Sequence, residues 1–195
     1  MAQLIVDFIT SLDGYASAEG WPGWWGLESP EYLAWLDERP DRDNTIVMGA
    51  NTYRLMSGFA SSTEMRGEEA EAIADLSRHR KIVFSSTLDR PLTWANSELV
   101  RDDPVEAVAE MKRSGTNMST LGSLTLCRSL LEAGLVDLFR VGVFPVITGK
   151  TGRERIYDGY PDVMLEMVTS RTFDNRIQLL EYVPKVLAGP PGEGA

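Results

Sequence analysis

The chain has 195 residues, 43% hydrophobic and 25% charged, a balance that suits one globular domain with a real core. A formal net charge of −10 argues against a nucleic-acid partner, which needs a basic patch to displace counterions from phosphates. No apolar run approaches the roughly 20 residues of a membrane helix, and one histidine with one cysteine makes no zinc constellation and no disulfide framework.

The opening MAQLIVDFITSLDG has no basic start, and Asp7 interrupts its apolar segment, so no signal peptide is expected and the protein reads as cytoplasmic. LIVDFIT has the short, β-branched character of a buried strand, and Asp13-Gly14 marks a turn. The Trp- and Gly-rich stretch Glu19 to Leu27 is too long for a simple turn and has the look of a functional loop. Ser29 then suits an N-cap and Pro30 the first helical position, with Tyr32, Leu33, Trp35 and Leu36 as the apolar stripe. Pro40 should end that helix near Arg39.

TIVMG reads as a second strand running at once into a helix at NTYRLMSG. Glu64 to Arg78 reads as another helix, KIVFSS as a third strand and SELVR as a fourth. The one local basic cluster, Arg78, His79, Arg80 and Lys81, is expected as a solvated helix end. Asp103-Pro104-Val105-Glu106 is a helix start with cap, proline and capping-box acid in place. NMSTLG is the next strand, followed by a helix from Ser123 to Ala133 with Gly134 as C-cap and Cys127 as a buried inert thiol. LFRVGVFPVI is strand-like, and DVMLEMVTSRTFDNRIQLLEYVP reads as two strands joined near Asp174-Asn175.

Strands alternating with helices predict a single α/β domain over residues 1–185, with a mostly parallel central sheet, a C-terminal antiparallel hairpin and helices on both faces. Residues 186–195, rich in Gly and Pro, read as a disordered tail.

One arrangement occurs three times: an apolar strand ends and a small or hydroxyl residue opens a turn or helix, in TIVMG-ANT, KIVF-SST and MSTLG-SLT. Beyond the carboxyl ends of such strands, helix starts expose unpaired N–H groups and a positive dipole end, which suits phosphate. Gly49 and Gly122 would admit backbone close to a pyrophosphate, and Thr52, Ser85, Ser86, Thr87, Ser123 and Thr125 could donate hydroxyls. Each site taken singly reads as an ordinary capped helix start or turn; the recurrence at three strand ends is what points to a ligand, and there is neither GxGxxG nor GxxxxGK[ST]. Asp7 is a costly carboxylate in an apolar strand. Either it faces a cleft, where it could bind an aminopyrimidine-like ring or supply a proton, or it sits at a sheet edge or bonds to backbone. Asp13 is a turn former or a substrate contact; Trp21, Trp24 and Trp25 either stack on a flat ring or pack the loop.

The order SLDG, Trp-rich loop, SPEYLAWL, VMGANTY, VFSSTL, LGSLTL with LLEAGLVD, FPVITGKTG and FDNRIQLLEYVP resembles the dihydrofolate-reductase-like family over Leu4 to Pro184. Within it the pattern is similar to the branch holding the C-terminal reductase domain of the bifunctional riboflavin-biosynthesis deaminase-reductase. The resemblance implies a cytoplasmic, homodimeric NADPH-dependent reductase of a small heterocycle, and assigns residues accordingly. Gly49, Asn51 and Thr52 would cradle one end of the dinucleotide, and Ser85, Ser86 and Thr87 would approach the adenosine ribose and its phosphate. Gly122, Ser123, Leu124 and Thr125 would hold the pyrophosphate. Ile9, Thr10, Asp13, Tyr15 and Ala16 would border the nicotinamide. Asp7, Tyr32 and Asp13 are the catalytic candidates, the proton coming from Asp7 or a water near Asp7 and Tyr32, and Trp25, Tyr32 and Tyr53 would contact substrate.

Two departures bear on specificity. Ala50 stands where the family often has Arg or Lys for the ribose 2′-phosphate, so selectivity for NADPH over NADH is expected to be weak unless Arg54, Arg90 or Arg101 supplies the cation. Tyr32 stands where dihydrofolate reductases carry the carboxylate that pairs with a pterin, which makes folate less suitable than an aminopyrimidine. A ribosyl-phosphate substrate would call for a cation at the substrate end, and the Trp-rich loop offers none. The competing readings are a flavin- or deazaflavin-type redox protein and a nucleotide-binding module without catalysis.

Overall fold

A computed structural model of the protein describes residues 2–19 and 23–192. In chain order its elements are β1 (Leu4–Ser11), β2 (Tyr15–Ala18), α1 (Pro30–Glu38), β3 (Thr45–Gly49), α2 (Ala50–Ser61), α3 (Gly67–Arg78), β4 (Lys81–Phe84) and β5 (Ser97–Val100). They continue with α4 (Pro104–Arg113), β6 (Met118–Thr120), α5 (Leu124–Glu132), β7 (Leu138–Phe144), β8 (Gly152–Arg155), β9 (Val163–Phe173) and β10 (Ile177–Val186). Eight strands form one sheet in the order β5-β4-β3-β6-β1-β7-β10-β9. From β5 to β7 every pairing is parallel, and β10 adds antiparallel to both β7 and β9. No described helix is long and apolar enough to cross a membrane.

The period-two alternation of the strands sorts the core onto two faces. Leu4, Val6 and Phe8 of β1 pack with Val47, Ile82, Phe139 and Val141 against Val108 of α4 and Leu126, Cys127, Leu130 and Leu131 of α5. On the opposite face Ile46, Met48 and Val83 meet Tyr53 of α2, Leu76 of α3 and Trp94. Further along that face Ile9, Phe144, Ile177 and Leu179 meet Tyr32 and Trp35 of α1. Each fully buried side chain of this size contributes roughly 1.5–3 kcal/mol, so helices are held to both faces by area alone.

Local signals resolved unevenly. Asp103 caps α4 as its motif predicts, accepting from the N–H groups of Val105 and Glu106. Ser29 makes no cap bond. In its place Asp174, from the β9–β10 turn, accepts from Glu31 N–H at 3.0 Å, while the Glu31 carboxylate accepts from Asp174 N–H at 2.8 Å. Asp174 and Asn175 both hold positive φ, the conformation a tight hairpin turn requires. The start of α1 is thus clasped from far along the chain.

Lys81 corrects the expectation of a solvated basic cluster, because it is fully buried. It points inward at the start of β4, where its Nζ donates to the carbonyls of Leu76, Ser77 and His79 and lies 4.6 Å from the Trp94 ring centre. The ammonium satisfies carbonyls that the end of α3 leaves open, and burial pushes its pKa down to about 8. The small β2–β8 sheet was also unforeseen, YASA and GRER being too short to show a period.

Candidate active site

Because β4, β3, β6 and β1 are parallel neighbours, their carboxyl ends open on one edge of the sheet, and the three repeated turns stand side by side there. β3 passes directly into α2 with Gly49 as N-cap, and α5 begins after Gly122 and Ser123, whose φ angles are 52° and 71°. A left-handed serine costs of order 1–2 kcal/mol and persists only where its surroundings impose it. Those surroundings are specific. Gly49 N–H donates to Ser123 Oγ at 2.7 Å, and the Ser123 hydroxyl donates to Thr52 Oγ1 at 2.8 Å. One side chain therefore welds the turn after β3 to the turn after β6. A Cβ on Gly122 would come within 3.3 Å of Thr52 Oγ1, in a backbone conformation that L-residues rarely adopt. Neither α2 nor α5 has a side-chain cap, so the leading N–H groups of both are left open beside the joined turns.

In the third turn the Ser85 hydroxyl accepts from the N–H groups of Thr87 and Leu88, each at 3.1 Å. Arg54 joins this turn to α2, donating to Asn51 Oδ1 and to Thr87 Oγ1, each at 3.2 Å. The carbonyl of exposed Ser86 accepts from Arg101 at 2.8 Å. Gly49, Asn51, Thr52, Ser85, Ser86, Thr87, Gly122 and Ser123 thus lie on three adjoining turns.

At the end of β1 the Thr10 hydroxyl donates to the carbonyls of Ser11 and Tyr15. Asp13 accepts from the Ser11 hydroxyl at 2.7 Å and from the N–H groups of Thr148 and Gly149 at 3.1 and 2.8 Å. The Ser11 bond first, and the backbone bonds with it, hold its carboxyl below the usual carboxylate range. Asp13 is therefore an ion that pins the β1–β2 turn to the loop after β7. Ile9 is half-buried in the core facing α1, and Tyr15 and Ala16 lie on β2. A cavity of about 490 Å³ brings Tyr15 together with Leu124, Thr125 and Arg128 of α5 and with Arg155 of β8.

Asp7 lies elsewhere. It pairs in register with Arg140 of β7, and its carboxylate accepts from Arg39 at 2.7 Å and Arg140 at 3.2 Å. Arg140, only 3% exposed, forks onto Asp41 with two 2.9 Å bonds and reaches Glu181 of β10 at 2.6 Å. Both guanidiniums lie over the Trp35 ring, at 5.5 Å for Arg39 and 5.2 Å for Arg140. Burial alone would raise the Asp41 carboxyl, but the bonds and charge of Arg140 and the charge of Arg39 hold it below the usual range. The clue in the sequence was a pair: Arg140 breaks LFRVGVF as Asp7 breaks LIVDFIT.

Tyr32 is buried edge-on to Phe144 and Phe173, with ring centres 5.5 and 5.6 Å away, and Trp25 shares Phe144 at 5.6 Å. Burial, and then the charge of Asp7, raise the Tyr32 phenol above its ordinary value, so it stays protonated. Tyr53 is in the core under α2, its hydroxyl accepting from the N–H groups of Thr93 and Trp94. Trp21 lies outside the described residues. Sequence reading passed over Glu28 and gave Ser29 only a capping role. Yet Glu28 Oε2, Ser29 Oγ and Trp25 Nε1 are all buried without a hydrogen-bond partner among the described residues, in the loop that leads into α1. Only an unused polar atom next to aromatic walls could have revealed them, and that requires coordinates.

The family model described as the RibD C-terminal domain matches residues 2–179. Protein YyaP of Bacillus subtilis is 26% identical over 184 residues, covering 92% of this chain and 94% of YyaP. Among solved structures, a putative riboflavin biosynthesis protein from Shewanella sp. PV-4 superposes with a TM-score of 0.69 at 20% identity, covering 95% of this chain and 99% of that one. The dihydrofolate reductase of Enterococcus faecalis, solved with NADP(H), gives 0.59 at 16% identity, covering 94% and 96%. The fold is dihydrofolate-reductase-like.

Proposed function

The chain belongs to the RibD C-terminal domain family, and we propose that it is an oxidoreductase that takes NADPH, or NADH, and reduces a small heterocycle of the aminopyrimidine or pterin type. The observation that carries the reading is the Ser123 weld, which sets the uncapped starts of α2 and α5 beside each other around a glycine that a Cβ would crowd. That is a cradle for a pyrophosphate, and the dihydrofolate reductase that shares this fold holds NADP(H). Gly49, Asn51 and Thr52 would hold one end of the dinucleotide, Gly122, Ser123, Leu124 and Thr125 its pyrophosphate, and Ser85, Ser86 and Thr87 the adenosine ribose. Ile9, Thr10, Tyr15 and Ala16 would border the nicotinamide, which when bound supplies a hydride.

The chain's own contribution is alignment, a dry cleft and a proton. The Asp7 carboxylate is engaged by Arg39 and Arg140, and the buried Tyr32 phenol holds its proton tightly, so the proton source in this reading is a water held near Asp7 and Tyr32. The buried Trp25 Nε1, Ser29 Oγ and Glu28 Oε2, without a partner among the described residues, offer two donors and an acceptor to a ring that carries both kinds of group. A riboflavin-pathway aminopyrimidine fits that pattern. Met164, Leu165, Met167 and Val168, exposed on the edge strand β9, support a homodimer, testable by sedimentation.

The test is titration with NADPH, NADH and oxidised flavin while following tryptophan emission, then turnover on a panel of aminopyrimidines and pterins. Quenching by a reduced nicotinamide dinucleotide and its consumption with one ring class are expected. Absence of binding by either dinucleotide at millimolar concentration overturns the assignment, and binding of flavin alone replaces it.

A further inference from the structure

Ala50 leaves the first turn of α2 without a charged group, at the edge where the three turns converge. Residues four apart on a helix stack on one face, and their side chains lean toward the N-terminus. Arg54 is therefore the residue whose head covers the turn that Ala50 opens, and its guanidinium is found there, reaching Asn51 on one side and Thr87 on the other. The other arginines nearby are committed to backbone. Arg90 donates to the carbonyl of Leu99 at 2.8 Å, and Arg101 to the carbonyls of Ser86 and Leu88 at 2.8 and 2.7 Å, so both brace the segment between β4 and β5. Arg54 differs in holding side chains and not backbone. It is exposed, its partners are one neutral amide and one neutral hydroxyl, and no described carboxylate pairs with it. With the hydroxyls of Ser85 and Thr87 and the uncapped start of α2, it makes a positively charged seat, and of the cations there it alone is held only by side-chain ends that a ligand can displace.

We propose that Arg54 is the residue that selects NADPH over NADH, by taking the phosphate on the adenosine ribose. The inference rests on the dinucleotide reading above. A phosphate would exchange two 3.2 Å bonds to neutral groups for charge-assisted ones, while Asn51 and Thr87 return to solvent or turn to the ribose. NADH, lacking that phosphate, gains nothing from the same side chain.

The experiment is calorimetric titration of NADPH, NADH, adenosine 2′,5′-bisphosphate and adenosine 5′-diphosphate into wild type, Arg54→Gln, Arg54→Lys and the double variant Ala50→Arg/Arg54→Gln, at low and high salt. Arg54→Gln keeps hydrogen bonding but removes the charge. It is expected to weaken NADPH and the 2′-phosphate fragment by roughly tenfold to over a hundredfold, and to leave NADH and the 5′-diphosphate within about twofold, the scatter allowed for a contact never made. Arg54→Lys should keep part of the preference, since it keeps the charge but not the fork. The double variant should regain it, because position 50 lies under the same head group. The salt sensitivity specific to NADPH should vanish in Arg54→Gln. An equal loss for NADPH and NADH would make Arg54 a staple between α2 and the Ser85–Thr87 turn and overturn the inference. So would a wild type that binds both alike, or an NADPH preference untouched by Arg54→Gln. Those results leave the dinucleotide reading standing, whereas a wild type that binds neither removes both.

Discussion

Replacing Arg140 by Met should be among the most damaging single changes in this molecule. The guanidinium makes bonds of 3.2 Å to Asp7, 2.9 and 2.9 Å to Asp41 and 2.6 Å to Glu181. Without it Asp41, whose side chain is 9% exposed, keeps only Arg39 at 3.5 Å, and Glu181 loses the ion partner it has. Removing one member of a buried network costs about 3–5 kcal/mol, because uncompensated charge stays behind. At about 2–4 °C per kcal/mol for a domain of this size, the midpoint should fall by roughly 6–20 °C. The pH dependence should change sign. In the wild type the depressed Asp41 carboxyl contributes stability that is complete above its unfolded value and is lost as pH falls through the folded one. In the variant burial acts with less opposition, the folded pKa rises past the unfolded one, and the folded state binds the extra proton. Its deficit should then shrink as pH falls from neutrality toward 5. Urea denaturation at two pH values measures both effects. A deficit under about 1 kcal/mol, equal at both, would refute the argument. Arg140→Met combined with Asp41→Asn should cost less than the sum of the two.

Gly122→Val should abolish dinucleotide binding while circular dichroism shows the fold retained, since its Cβ would press on Thr52 Oγ1 and carry a side chain into the cradle. Normal binding by the folded variant would put the cradle elsewhere. Asp103→Ala should lose about 0.5–2 kcal/mol by denaturant titration, because its carboxylate caps two N–H groups of α4. Cys127 is buried, with its thiol pushed up to about 12 by burial, so a disulfide reagent should leave the native protein unlabelled and react once it is unfolded. Rapid native labelling would contradict the packing of α5.

What could be seen in the sequence was what repeats within a few residues. The period-two strands, the Asp103-Pro104 start and the three strand-end turns needed only local sterics and local hydrogen bonds. The side-by-side placement of those turns followed from parallel order. The Asp174–Glu31 clasp and the partners of Arg140 were hidden because each joins residues far apart in the chain; Lys81 was hidden because its partners are backbone carbonyls at the end of α3, which no side-chain pattern announces. Ser29 is instructive, because it had the right chemistry for a cap and the hairpin turn took the position. Tyr32 and Tyr53 looked alike as substrate contacts on helices, yet one shares an aromatic wall with Trp25 and the other holds Thr93 and Trp94 through its hydroxyl.

The place of β1 in the sheet sets the order in which the molecule can be made. It is made before the other strands of its sheet, yet it lies in the interior, with Leu4 paired to Met118 and Ile5 through Ser11 paired to Leu138 through Phe144. During translation an apolar strand must wait, unpaired, until residues 118–144 have left the ribosome. Loop closure over such separations is slow, and a waiting apolar edge is an aggregation hazard. Asp7, which the finished molecule uses as an ion-pair partner, gives that strand a charge throughout the wait, as a gatekeeper would.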